Sequence, residues 1–339
     1  MCTNLAAAGR SVRSPGAVYI GSVSDDPYDI RTRVVVERSP KGYAYIGTDL
    51  APLSTAVSAA EYAESTSGAP TRGLNERGLG FTWAYAWEKP ENKPRPGALK
   101  AHQAWGEVMR RCGTIDEAIA LLRDLPRDFG AAGMLADRSG TCALVEIGRR
   151  HVAVSRRLAP DSGGTAVNVN CWMMLQEEDG DPKGGLDVAT APNQTRYARA
   201  SERLALVDGR IGISEIKNVL CDHGHRGRFA GENTLVRGHG FSVCNHGSLG
   251  GLSFDPAAPS WGTVSAEIID PVGGVFWYVY GWPCGEAPQF GDQMLQERSW
   301  GNFIGFPLAG LPAGQYSTLT GELTALAMRH FNKLRPFPQ

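Results

Sequence analysis

The sequence has no surplus of charge: 34 Lys and Arg stand against 35 Asp and Glu, for a net charge of −1. A basic face for nucleic acid or for an anionic membrane surface is therefore not expected. Long apolar runs are also missing. The most apolar stretch, Gly273–Trp282 (GGVFWYVYGW), is strand-sized and far too short to cross a bilayer. The opening MCTNLAAAGRSVRS lacks a basic segment followed by an apolar one, so no secretory signal is expected. No C-x2-C or H-x3-H spacing offers a ready zinc site, and no G-x4-G-K-(S/T) loop is there to cradle a phosphate. His246-Gly247-Ser248-Leu249-Gly250 fails the G-x-S-x-G spacing of a serine elbow. Repeats, heptads and low-complexity blocks are absent. The seven cysteines are odd in number and scattered, which reads as reduced thiols in a cytoplasmic enzyme rather than a disulfide framework.

What remains is a chain of 339 residues, 42% hydrophobic and 20% charged, with material for a sizeable core. Runs rich in β-branched and aromatic residues predict strands at Ala17–Ile20, Thr32–Arg38, Tyr43–Ile46, Gly80–Trp87, Gly133–Ala136, Cys142–Ile147 and His151–Val154. Further strands are expected at Gly164–Val169, Phe241–Cys244, Gly262–Ile269 and Gly274–Tyr280. Helical periodicity covers Leu99–Cys112, Thr114–Leu125, Arg196–Val207, Ser214–Cys221 and Leu319–Asn332, with Thr114 and Glu117 forming a capping box. The strands come in consecutive groups, without the alternation of a doubly wound parallel sheet. A single domain over residues 1–339 is expected, with antiparallel sheets flanked by helices. Lys89–Gly97 and Glu177–Pro192 read as surface loops.

Cys2 stands where removal of Met1 makes it the first residue of the chain. Its thiol and α-amine then share one carbon skeleton, and the amine is a natural local base near neutrality. Other segments accompany it: GLNERGLGFTWAYAW (Gly73–Trp87), DRSGTCALVEIG (Asp137–Gly148) and TRYARASERL (Thr195–Leu204). Later come CNHG from Cys244 and WGTVSAEIIDPVGGVFWYVYGWPCG, ending at Gly285. With Met1-Cys2-Thr3, and in this order, they resemble the N-terminal-nucleophile hydrolases that group choloylglycine (bile salt) hydrolases, penicillin V acylases and penicillin acyltransferases. The late segment is nearest to the acyltransferase branch, and the opening MCTN to the bile salt hydrolases.

The resemblance implies an α+β fold, a four-layer αββα sandwich with two antiparallel sheets face to face. It implies that Cys2 is the nucleophile and that its own amine is the base. Asp25, closing Tyr19-Ile20-Gly21-Ser22-Val23-Ser24-Asp25, takes the place of an Asp that contacts the nucleophile. Asn170 matches an Asn that donates to the oxyanion, with Asn168 as the fallback. Arg196, in Thr195-Arg196-Tyr197, matches an Arg near the nucleophile. Two positions depart from the bile salt branch: Ser22 stands where that branch has Arg, so the contact is missing or supplied elsewhere, and Tyr85 replaces its other oxyanion Asn. Bile acid amides are therefore not the expected substrate. Acyl transfer needs a nucleophile, a proton acceptor and donors aimed at the developing charge, and each such donor is worth roughly 3 kcal/mol.

The expected function is a cysteine amide hydrolase or acyltransferase acting on a small-molecule linear amide or acyl thioester through an acyl-Cys2 intermediate. No metal or organic cofactor is required, nucleic acid and membrane are not expected partners, and a homo-oligomer is compatible with the composition. Trp83, Tyr85 and Trp87 alternate on one strand face as core or pocket wall, and His246 is a candidate pocket residue. Asn75 and Glu76 read as turn-formers. Two alternatives stand beside this reading. One is a catalytically inactive binding protein of the same fold. The other is a zinc hydrolase built on Cys221, His223, His225, His239, Cys244 and His246.

Overall fold

Side-chain alternation in the first strand already separates the layers of the protein. In β1 (Cys2–Ala8), Ala6 and Ala8 enter a core between two sheets, while Leu5 and Ala7 enter a second core on the other face. The computed structural model describes residues 2–27, 30–52, 70–181, 191–222, 242–245, 261–285 and 303–338. Within these, β1 is followed by β2 (Val18–Pro27), β3 (Ile30–Glu37), β4 (Tyr45–Pro52), β5 (Arg72–Asn75) and β6 (Gly80–Tyr85). Then come β7 (Ala131–Ala136), β8 (Cys142–Ile147), β9 (Val152–Leu158) and β10 (Gly164–Asn168). The last strands are β11 (Trp261–Asp270), β12 (Val275–Tyr280), β13 (Ile304–Pro307), β14 (Gly314–Gln315) and β15 (Arg335–Pro336).

Two antiparallel sheets result, ordered β10-β1-β2-β11-β12-β13-β15 and β14-β3-β4-β5-β6-β7-β8-β9. Val18 and Ile20 of the first sheet meet Val34, Val36, Ile46 and Leu74 of the second in the central core. Helices α1 (Ala101–Arg111) and α2 (Ile115–Asp124) cover the outer face of the second sheet. There Phe81, Leu135 and Val145 pack on Trp105, Val108 and Leu122, with the Phe81 and Trp105 rings stacked at 4.5 Å. Helices α3 (Ala191–Ala205) and α4 (Ile213–Leu220) cover the first sheet, pressing Ala200, Leu204, Ile216 and Leu220 onto Leu5, Val23 and Ile268. The four layers run helix, sheet, sheet, helix, as expected of an α+β sandwich. No helix among the described residues is long and apolar enough to cross a membrane.

The capping box at Thr114 forms as expected, the hydroxyl accepting from Glu117 N and the Glu117 carboxylate accepting from Thr114 N. Two expectations differ from the structure, and the first strand was not anticipated. The last helix shrinks to α5 (Ala325–Arg329) and a turn at Phe331–Lys333. Gly321, at a φ of +84°, breaks the expected periodicity, and Thr324 then caps a late start by accepting from Ala327 N. Residues 242–244 bend instead of pairing, because Cys244 N donates to Asp222 O and Asn245 N to the Thr263 hydroxyl. The alanine-rich start is a strand, because its small side chains fit between β2 and β10 where local preference counts for little.

Candidate active site

Along the inner face of the first sheet, the side chains turn from apolar to polar toward one end. Ala8 and Ala6 give way to Asn4 and Cys2 in β1, and Val18 and Ile20 give way to Ser22 and Ser24 in β2. The register sets Asn168, Asn4, Ser22 and Glu267 abreast on β10, β1, β2 and β11. Cys2, Ser24 and Ser265 form the next row. Cys2 is half-buried at the mouth of the sandwich.

Asn170 and Arg196 close on Cys2 from beyond the strands. Cys2 N donates to Asn170 Oδ1 at 2.6 Å, and Arg196 Nη2 donates to the same oxygen at 3.2 Å. Asn170 Nδ2 donates to the main-chain oxygen of Tyr85 at 2.9 Å. These partners fix the orientation of the amide, since its oxygen faces donors and its nitrogen faces a carbonyl. The following turn is pinned by Glu146, whose carboxylate accepts from the amides of Met173, Met174 and Leu175. Arg196, fully buried on α3, also donates to Cys2 O, to Thr3 Oγ1 at 2.9 Å and to Asn193 Oδ1 at 2.6 Å. Its neighbour Arg199 is occupied by Asp222 and Glu202, which is a structural role. Asn168 is equally committed: it accepts from Asn4 Nδ2 at 2.7 Å and donates to Gly133 O at 3.1 Å.

Asp25 is buried on β2 and accepts from Thr263 Oγ1 at 2.6 Å. Burial pushes its carboxyl up to about 6, against the pull of the amino-terminal charge, of Arg196 and of the Thr263 hydroxyl. Folding therefore favours the protonated acid. The stability this confers is complete below the ordinary carboxylate range and is lost as pH rises through about 6. The advantage of Asp25→Asn over the wild type, about 3 kcal/mol at pH 8, should vanish by about pH 4 in thermal melts across that range. A pH-independent difference would mean that Asp25 does not titrate as placed.

The aromatic candidates part company. Trp83 packs into the helix-covered core, 6.4 Å from the Phe129 ring, so it belongs to the packing of the second sheet. Tyr85 and Trp87 remain exposed, 46% and 42%, with their rings edge to face at 5.7 Å. Tyr85 meets Asn170 through its backbone, a contact that does not depend on its side chain. Asn75 is a turn residue as expected, accepting from Arg77 N and Leu79 N and donating to Met109 O and Cys112 O. His246, with His223, His225 and His239, lies outside the described residues. Among the described residues no group of His, Cys, Asp and Glu could hold a metal ion, and the seven cysteines form no disulfide. Cys244 Sγ rests 3.7 Å from Cys284 Sγ.

One site residue was not foreseen. Arg72, buried on β5 of the second sheet, reaches across to the polar end of the first. Its Nη2 is 3.3 Å from Cys2 Sγ, and its Nε donates to Ser22 Oγ at 3.1 Å. No spacing along the chain links residue 72 to residue 2. The available signal was the unfilled need for a cation at Ser22.

Two packed antiparallel sheets thus hold a half-buried cysteine whose main-chain atoms are bound by Asn170 and Arg196. A model of the acyl-coenzyme A:6-aminopenicillanic acid acyl-transferase family matches residues 26–206, more than half of the chain. The chain belongs to this family, among the N-terminal-nucleophile hydrolases. Cys2 precedes the matched residues. No match is found among curated protein sequences. Among solved structures, the C2A mutant of conjugated bile acid hydrolase from Clostridium perfringens is similar, with a TM-score of 0.48 and 13% identity, covering 94% of this chain and 97% of that one. Penicillin V acylase from Agrobacterium tumefaciens gives 0.45 and 15%, covering 82% and 83%. The Caenorhabditis elegans ortholog of N-acylethanolamine-hydrolyzing acid amidase gives 0.44 and 13%, covering 79% and 93%.

Proposed function

We propose that the protein transfers the acyl group of a linear amide or acyl thioester to water or an amine through a thioester on Cys2. The observation that carries this reading is the 2.6 Å hydrogen bond from Cys2 N to Asn170 Oδ1, in a half-buried residue whose carbonyl is clamped by Arg196. Such a pair of restraints fixes the main chain of one residue and leaves its side chain at the mouth.

Once Met1 is removed, Cys2 N is an amine. In its neutral form it takes the thiol proton, and the sulfur attacks the substrate carbonyl carbon. The oxygen of that carbonyl gains the charge as the C–S bond forms. Asn170 Nδ2 has two hydrogens, and Tyr85 O uses one, so the other is the donor for the oxyanion. Collapse breaks the bond to the leaving group, which departs with the proton from the ammonium. Water or an acceptor amine then attacks the thioester by the reverse of these steps. The cycle uses protein groups alone. Asp25 and Arg196 set the field at the amine, and the exposed rings of Tyr85 and Trp87 offer apolar surface to the acyl chain. Seven scattered cysteines, odd in number, suit a cytoplasmic setting.

The test is to incubate the processed protein with a panel of N-acyl amines and acyl thioesters and to map any adduct by mass. An acyl group on Cys2, discharged with time, is the expected result. Turnover that survives Cys2→Ala would overturn the reading.

A further inference from the structure

The buried row Asn168, Asn4, Ser22 does more than join three strands. Its hydrogen bonds run in one direction. Asn4 Nδ2 donates to Asn168 Oδ1 at 2.7 Å, and Ser22 Oγ donates to Asn4 Oδ1 at 2.8 Å. Ser22 has a single hydroxyl hydrogen, and Asn4 takes it. The serine lone pairs are thereby turned toward the second sheet, where Arg72 Nε donates to them at 3.1 Å. Glu267 stands in the same row, its Oε2 3.7 Å from Arg72 Nε and its Oε1 accepting from Ser265 Oγ at 2.7 Å. The guanidinium is thus tethered at Nε, and its Nη2 is delivered to Cys2 Sγ at 3.3 Å.

We infer that Arg72 is a catalytic residue that steadies the negative charge on the Cys2 sulfur as its proton passes to the amine, that Ser22 is its positioning residue, and that Glu267 competes for the same cation. This inference rests on the nucleophile reading above and extends it to the charge that activates the sulfur. The cation comes from the opposite sheet, so the active sulfur exists only where the two sheets meet. Burial works against the charge on Arg72, but the charges of Cys2, Glu267 and Asp26 outweigh it and hold the guanidinium above its ordinary value. Glu267, pushed up to about 7 by burial against the pull of Arg72, competes with the sulfur for the same cation. Among the described residues, the charged groups around the sulfur are Arg72 on β5, Arg196 on α3, Asp25 and Asp26 on β2 and Glu267 on β11, joined by the amine of Cys2 once Met1 is removed.

The readout is the pH profile of Cys2 alkylation by iodoacetamide, followed by mass on the Cys2 peptide of the processed protein. Arg72→Gln should slow alkylation at pH 7 by about tenfold and move the profile up by about one pH unit. Glu267→Gln removes the competitor and should move the profile down. Opposite signs from two neighbouring buried substitutions are not the mark of general loosening. Should Arg72→Gln fail to fold, Ser22→Ala carries the test: it removes one tether and should slow alkylation by about threefold. A wild-type profile in Arg72→Gln, or in Ser22→Ala where that variant carries the test, overturns the inference. So does an upward move in Glu267→Gln. The measurement reads thiol chemistry alone, so failure of the acyl-transfer reading, seen as no acyl-enzyme from any donor, is separate from failure of this one.

Discussion

A protein that keeps Met1, or carries an uncleaved N-terminal tag, should turn over about 10²–10⁴-fold more slowly than the processed form while remaining folded. The peptide nitrogen that replaces the amine is not basic, so the thiol proton has no acceptor in the first step. Folding should be untouched, because the hydrogen bond from Cys2 N to Asn170 Oδ1 needs only an N–H, which amide and amine both possess. Cleaving the tag so that Cys2 leads the chain should restore turnover without refolding, and a C-terminal tag should be harmless. Cys2→Ser should be folded and slow for a different reason, the poorer nucleophile. Full turnover in a verified, uncleaved N-terminally tagged protein would discard the amine as base.

Asn170→Ala should lower turnover by roughly 10²–10³, the loss expected for one oxyanion donor. The structure adds a second consequence. Removing the amide leaves Arg196 Nη2 short of a partner and Tyr85 O without its donor, at a cost of about 1–3 kcal/mol in stability. Asn170→Asp separates the two effects. It keeps the acceptor that Cys2 N and Arg196 share, so only the share of the stability loss at Tyr85 O should remain, yet it deletes the donor and places a negative charge at the oxyanion. Turnover should therefore fall at least as far as in Asn170→Ala. Unchanged turnover in both variants would move the oxyanion role elsewhere. Asn168, the fallback, also keeps one Nδ2 hydrogen beyond the one that Gly133 O takes.

The sequence showed the layers more plainly than it showed the site. Strands such as Cys142–Ile147 and the capped helix at Thr114 follow from local pattern, because burial on one face imposes a period that a short window contains. The alanines of β1 escaped that pattern, since their fitness for a strand comes from the narrow space between two neighbours. The same contrast divides the site. Asn170 and Arg196 were found through motifs that lie whole within a few residues. Arg72 meets Cys2 only because β5 of one sheet faces β1 of the other, which no local window holds. Trp83 was left between core and pocket wall for a related reason. Alternation tells which residues share a face, but not which layer that face meets.

The position of β1 between β2 and β10 bears on when the protein becomes active. A chain end is ordinarily among the loosest parts of a domain unless something ties it down. Here the end is stitched to a strand far down the sequence, Asn4 to Asn168 across a separation of 164 residues, and Cys2 N to Asn170 across 168. Contacts of that span form late, after the loop between them has closed. During synthesis the amino terminus emerges first and then waits for most of the chain before its partners exist. Until that moment Cys2 has no restraint on its main chain and no guanidinium beside its sulfur, so it reacts as an unremarkable surface thiol.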